Sequence, residues 1–399
     1  MLAQELEREL TGRIIPFWRA LRDDERGGYY GEVSSDLQVD IEAEKATLLM
    51  CRILWFFSTA SRQLDDANLL DDARHAYRFI ADHCFDAVDG GLFWSVDRDG
   101  RPADTTKHTY LQAFGVYALA AYFQASGDRV ALGLTRELGE LIEERCWDGR
   151  GYSEEHDVFF REVSNEKLAQ HGVAAKHTTN TLLHLLEGYA GWYSAAGDPL
   201  AERGIRRILA IFLDELYNPD RHRLELFFDD TMTSLIDMHS LGHDIEASWL
   251  VEWAASCLGE PDERVRGMCA DLAQEVYRSG FRDGSVIFES VRGTPDLSRV
   301  WWVQAEAMLG FDRASDREPL SPWAPPFARA VDELWEYIQA RIVDPREKSE
   351  WLWQVDEDGR PVPTDPIAAA WKCPYHNGRA CLRLIESRTA ATALEAEEP

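Results

Sequence analysis

The stretch Gly242-His243-Asp244-Ile245-Glu246-Ala247-Ser248-Trp249 places proton-moving groups at the mouth of an apolar run containing Leu250, Val251, Trp253, Ala254 and Leu258. His243 and Glu246, three residues apart, share one face of a first helical turn. An imidazole beside a carboxylate makes an acid/base unit. The pair reads as well as a buried histidine satisfied by its neighbour. The balance shifts because five other helix starts are polar in the same way. They carry Lys45 and Arg52; Lys107, His108, Tyr110 and Gln112; Asn180 and His184; Trp302 and Glu306; and Trp371, Tyr375, His376 and Arg379. Buried polar groups are costly without partners, so six such sets directed at one place indicate a site rather than scattered structural histidines.

The elements that position these groups follow from an internal repeat. Glycine and aromatic punctuation recurs at Gly28, Gly91, Gly151, Leu224, Gly284 and Trp351, at intervals of 63, 60, 73, 60 and 67 residues. Trp94-Ser95-Val96-Asp97-Arg98-Asp99-Gly100-Arg101-Pro102 and Trp353-Gln354-Val355-Asp356-Glu357-Asp358-Gly359-Arg360-Pro361 are near copies whose Asp-Gly pairs predict tight hairpin turns. Between the marks lie two helical stretches per unit, with apolar residues every three or four positions: 2–21 and 42–64, 68–85 and 106–126, 129–146 and 178–196, 200–217 and 244–258, 262–279 and 297–311, 327–342 and 374–386. The second helix of each unit is apolar all round, hence buried. The expectation is an all-α ring of twelve helices, six inside and six outside, whose inner starts face one rim with the aromatic loops. One domain spans 1–386, and the Glu-rich 387–399 is expected to fray. The Pro- and Asp-rich 312–326 reads as a short connection of undefined conformation.

Composition narrows the functional classes. A chain of 399 residues, 45% hydrophobic, buries a large core. Its net charge of -29 disfavours nucleic acid or an anionic membrane as partner. Seven scattered cysteines without a C-x-x-C pair argue against a disulfide framework and a structural zinc. The first residues lack a secretory core and no stretch is long enough to span a bilayer, so a reducing cytoplasm is the expected location. His239 and His243 have the i, i+4 spacing of a metal site but no third ligand, so no metal is expected.

Five strings carry a resemblance: Arg52-Ile53-Leu54-Trp55-Phe56-Phe57-Ser58, Thr105-Thr106-Lys107-His108-Thr109-Tyr110, the Gly242 to Trp249 stretch, Trp301-Trp302-Val303-Gln304-Ala305-Glu306, and Trp371-Lys372-Cys373-Pro374-Tyr375-His376-Asn377-Gly378-Arg379. Together they resemble the N-acylglucosamine 2-epimerase superfamily, most closely its cellobiose 2-epimerase branch, from about Ile15 to Ile385. The resemblance implies an (α/α)6 barrel and interconversion of a reducing sugar with its C2 epimer, without metal or redox cofactor. It further implies that His243 and His376 are the paired acid/base histidines, that His184 supports ring opening, and that Arg52 binds sugar oxygens. Relatives often carry a second histidine at the position of Leu182, which this chain lacks.

The chemistry calls for the same equipment. Inverting C2 of an aldose requires an open ring, loss of the C2 proton beside an aldehyde, and return of a proton to the opposite face. Two histidines serve as base and acid, and an arginine forks across the two enediolate oxygens. His376, near a helix start behind Cys373-Pro374, is favoured neutral by the dipole and is expected to be the base toward the glucose-type epimer. His243, beside Glu246, is its counterpart. Trp302 and Trp371 suit stacking against a sugar face, and His108 and Tyr110 suit wall or sugar contacts. Glu246, Glu306 and Asn180 either bind substrate or brace the barrel. His75, His83, His156, His171, His177 and His222 fall on outer helices or loops. The expected partner is a small-molecule sugar, bound by a monomer or weak homo-oligomer. The alternatives are a mannose 2-epimerase or mannose isomerase acting on monosaccharides, and, in another class, a glycoside hydrolase using Glu246 and Glu306 as flanking carboxylates. A non-catalytic sugar-binding role is the last option, since fold alone decides none of these.

Overall fold

The computed structural model describes residues 2–259 and 261–397, with 390–397 described by backbone alone. Among the described residues the inner ring consists of Thr47–Gln63, Thr109–Ser126, Thr179–Ala196, Leu241–Cys257, Trp301–Arg317 and His376–Glu397. Each packs against the next and the sixth returns to the first, so the ring is closed. The outer ring consists of 2–20, 67–84, Arg129–Arg145, 199–216, Glu263–Ser279 and 324–342. The first outer helix packs on the last inner one. This is the expected (α/α)6 barrel, with its core where the two rings meet.

Local sequence explains these boundaries. Asp66, Asp128, Asp198 and Asp262 each cap an outer helix by accepting a backbone N–H of its first turn. Four outer helices contain a π-turn, at Leu10–Ile14, Ile80–Cys84, Phe212–Leu216 and Ile338–Ile342. The inner helices are buried almost all round, as their uninterrupted apolar composition requires. Two of their glycines mark close crossings: a Cβ at Gly188 would lie 2.7 Å from the Ala113 carbonyl oxygen, and one at Gly310 2.7 Å from that of Ile245.

The punctuation forms short antiparallel links: Phe85 bridges Leu92, Trp147 bridges Tyr152, and Phe281–Arg282 pairs with Ser285–Val286. Both Asp-Gly hairpins form, with Gly100 at φ 84° and Gly359 at φ 77°. A two- or three-residue strand precedes each of the first five inner helices, and each pairs with a strand of the next unit, as Lys107–His108 does with Glu155–His156. The first, second and fifth inner helices therefore begin at Thr47, Thr109 and Trp301, later than their apolar runs suggested.

The fifth inner helix runs on to Arg317, beyond the expected end at Phe311, because Arg317 is tied to Glu252 and to the Ser248 carbonyl. The last helix continues to Glu397, with Ser387 and Arg388 bonded to Asp312. Part of the expected frayed segment, Glu398 and Pro399 and the side chains from Ala390 on, lies outside the described residues. No helix among the described residues is long and apolar enough to cross a membrane.

Candidate active site

The starts of the inner helices surround a cavity of about 330 Å³ walled by Arg52, Tyr110, Asn180, His184, His243, Glu246, Trp302, Trp371 and His376. Nine of the expected site residues thus come together, eight from six helices and Trp371 from the loop before the sixth. A cavity of about 420 Å³ at the opposite end of the barrel, walled by Trp55, Tyr117, Trp253 and Arg383 among others, contains no histidine.

The three histidines are each anchored through Nδ1, which leaves Nε2 as the ring nitrogen free to act. His376 Nδ1 lies 2.7 Å from Glu306 Oε1, His184 Nδ1 lies 3.0 Å from Glu187 Oε2, and His243 Nδ1 lies 2.7 Å from Ser240 Oγ. The Trp302 ring packs on two of them, with centroids 5.0 Å from His243 and 5.5 Å from His376. Burial, followed by the charge of His184, pushes His243 down to about 3. Burial, then Arg379 and Arg52, holds His376 well below the usual histidine range. Both imidazoles are held neutral by these surroundings.

Two buried arginines divide the remaining work. Arg379 is a hub, donating to Glu187, Glu246 and Glu306. Burial would raise Glu187, but Arg379 and His184 outweigh it and hold that carboxylate at about 2. Burial and then the neighbouring Glu306 push Glu246 up to about 7. Arg52 instead has an aromatic surround, 4.3 Å from the Phe114 centroid and 4.9 Å from that of Tyr375. It donates to the Tyr110 hydroxyl at 2.7 Å, and no carboxylate among the described residues pairs with it. Four cavity-wall atoms are buried without a protein partner: Arg52 Nε, Asn180 Oδ1, Glu246 Oε2 and Trp301 Nε1. Unpaired buried polar atoms are costly, and a polyhydroxylated ligand would satisfy them.

Several expectations change. Glu246 does not pair with His243; its Oε1 turns to Arg379, while His243 bends back to Ser240, the residue that caps its helix. His108 is fully buried and lies outside the cavity, accepting from the Tyr110 N–H and facing Asn165 at 3.2 Å. Glu306 also lies behind the wall, bracing His376 and accepting from Trp249 Nε1 at 3.0 Å. Lys45 and Lys107 turn outward to Asp23 and Asp86, at 2.8 and 2.7 Å, and Gln112 bonds both backbone groups of Leu92. His239 pairs with Asp244 at 2.9 Å. Leu182 is buried, off the cavity wall.

Sequence reasoning passed over Ser240 and Glu187 and left Arg379 without a role. Glu187 stands three residues after His184, the same spacing as His243 and Glu246, so that signal was present. Loop residues Lys167 and Gln170, together with Phe288, Glu289 and Gln354, extend the cavity beyond the histidines. Lys167 is fixed by Asp104 at 2.5 Å, and His171 by Glu289 at 2.8 Å. Candidate ligand atoms of Glu246, Glu306 and His376 lie within 4.8 Å of one another, close enough for a cation. The Arg379 guanidinium already supplies the positive charge there, donating to both carboxylates.

The N-acylglucosamine 2-epimerase (GlcNAc 2-epimerase) family profile matches residues 17–380. A cellobiose 2-epimerase from Eubacterium cellulosolvens is 44% identical over 398 residues, covering 95% of this chain and 97% of that protein. One from Ruminococcus albus is 42% identical, covering 96% and 98%. The solved structure of cellobiose 2-epimerase from Bacillus thermoamylovorans B4167 superposes with a TM-score of 0.93 at 41% identity, covering 97% of this chain and 99% of the other. With its barrel and site closed over nearly the same span as the profile, this chain belongs to the N-acylglucosamine 2-epimerase family.

Proposed function

We propose that the protein inverts C2 of the reducing-end glucose of β-1,4-linked disaccharides, converting cellobiose to its glucosyl-mannose epimer. The observation that carries this reading is the pair His243 and His376, each held through Nδ1 and both packed on Trp302, with Arg52 unpaired by any carboxylate among the described residues. In the proposed sequence His184 assists opening of the sugar ring. His376, donating Nδ1–H to Glu306, presents the Nε2 lone pair and removes the C2 proton of the glucose-type epimer, as a carboxylate-backed imidazole does. Arg52 stabilises the enediolate oxygens. His243 returns a proton to the other face, and the roles exchange in reverse. Burial disfavours imidazolium, but an adjacent enediolate anion opposes that effect.

The cavity's extension along Lys167, Gln170, Phe288 and Glu289 favours a disaccharide over a monosaccharide. The hydrolase alternative needs a free carboxylate pair, whereas both Glu306 oxygens are engaged.

Incubation of cellobiose in deuterated water is expected to yield the mannose-ended disaccharide with deuterium at C2, read by NMR. Conversion of mannose alone would move the reading to a monosaccharide enzyme, and release of glucose to a hydrolase. His243→Ala and His376→Ala should each cut epimerisation by about 10²- to 10⁴-fold. His243→Ala should still wash deuterium from a C2-labelled glucose-type substrate. Washout retained only in His376→Ala would reverse the assignment.

A further inference from the structure

The site gathers three carboxylates on one guanidinium. Glu187, Glu246 and Glu306 are all fully buried, and all three converge on Arg379. The other buried guanidinium, Arg52, is turned to aromatic rings and to Tyr110. Glu246 and Glu306 share the same Arg379 nitrogen, Nη2. Two carboxylates in one dry site do not both ionise readily, so one holds a proton.

A hydrogen-bond inventory identifies which one. Glu187 Oε1 accepts from Arg379, and its Oε2 accepts from the Tyr375 hydroxyl and faces His184 Nδ1. Glu306 Oε1 receives Arg379 and His376, and its Oε2 receives the Trp249 indole N–H. A proton on any of these oxygens would meet another donor. Glu246 Oε1 is taken by Arg379, but its Oε2 is buried with no partner, on a residue of the cavity wall. That atom alone has room for a proton and nothing in the protein to give it to.

We propose that Glu246 works as a neutral carboxylic acid whose Oε2–H donates to a sugar oxygen at C1 or C2, forming with Arg52 the oxyanion site for the enediolate. The inference rests on the epimerase reading. It requires no proton transfer: the hydrogen bond strengthens as charge develops, as with a carboxylic acid kept protonated in an apolar site. Burial and Glu306 both act in this direction. The charged and titratable groups around Glu246 are Arg52, Tyr110, His184, Glu187, His243, Glu306, Tyr375, His376 and Arg379; of these His184 and Arg379 oppose protonation, and Glu306 and Glu187 promote it.

The test compares Glu246→Gln with Glu246→Ala and Glu246→Asp. The amide keeps an acceptor for Arg379 and a donor in place of Oε2–H. Glu246→Gln is expected to retain activity within about tenfold and to lose the alkaline fall in kcat/KM caused by ionisation of Glu246. Glu246→Ala should lose about 10²- to 10³-fold, the usual effect of removing one oxyanion donor. Glu246→Asp should keep the alkaline fall. A Gln variant as inactive as the Ala variant, or one with an unaltered alkaline limb, would overturn the proposal. Infrared spectra of sugar-free protein separate this from failure of the epimerase reading. Wild type should show a protonated-carboxyl band at slightly acid pH that disappears in Glu246→Gln. Absence of that band in wild type overturns the assignment whatever the substrate proves to be.

Discussion

The atom behind each imidazole sets what that imidazole does. His376 and His184 are backed by carboxylates, whereas His243 rests on the Ser240 hydroxyl. Ser240 fixes both the ring and the helix start, since its Oγ also accepts the His243 backbone N–H. Ser240→Ala is expected to lower kcat up to about tenfold with KM little changed, the worth of one hydrogen bond of about 1 kcal/mol. Ser240→Thr should restore it. Steady-state kinetics on the two variants, with melting temperatures to separate loss of the cap, checks this. An unchanged kcat in Ser240→Ala would show that Trp302 packing alone orients the ring.

At the scale of elements, the residue two positions before each of the first five inner helices is a Lys, His or Arg: Lys45, Lys107, His177, His239 and Arg299. Lys45 and Lys107 reach back to Asp23 and Asp86 in the link after the preceding outer helix. Such a buried pair fixes where a helix begins, and removing one partner leaves an uncompensated charge. Lys107→Met is therefore expected to cost about 3–5 kcal/mol, and Lys107→Met with Asp86→Leu to recover much of that. Denaturant unfolding of the single and double variants measures it. A single variant as stable as wild type would mean that Asp86 is satisfied by its backbone donors, Val88 and Asp89. These residues explain why helix periodicity placed three inner starts too early. The apolar pattern continues through the strand that precedes the helix, and only pairing with the next unit separates the two.

At the scale of the whole molecule, buried titratable groups tie folding to pH. Burial pushes His108 down to about 3, despite the Asn165 contact. Its unfolded value is about 6.5, so between those limits the unfolded chain binds a proton that the folded one does not. The stability it contributes is complete above about pH 6.5 and falls by about 1.4 kcal/mol per pH unit as pH drops below it. Glu246, raised from 4.5 to about 7, has the opposite sign: the folded protein keeps a proton that the unfolded chain loses, so stability declines as pH rises from about 4.5 to about 7. The wild-type profile blends these two with other buried groups, His243, Glu187 and Glu154 among them. The difference between wild type and His108→Gln isolates the first, and the variant should lose about 1.4 kcal/mol less per unit between pH 6 and 4. Parallel profiles would show that His108 is charged when folded.

The sequence by itself determined the ring of helical pairs, because apolar periodicity and the glycine and aromatic punctuation are local and repeat six times. It also indicated most of the residues that reach the cavity from the inner helices, since a helix start fixes the direction of its first two turns, but not that His108 and Glu306 stand behind the wall. It did not determine partners. Glu246 lies three residues from His243 in the chain, yet it is held by Arg379, 133 positions away. Glu306 likewise serves His376 from the neighbouring helix. Only closure of the barrel brings three carboxylates onto one guanidinium and leaves Arg52 without one. In a dry interior, charge is settled by the groups that meet in space, and that meeting is a property of the tertiary structure.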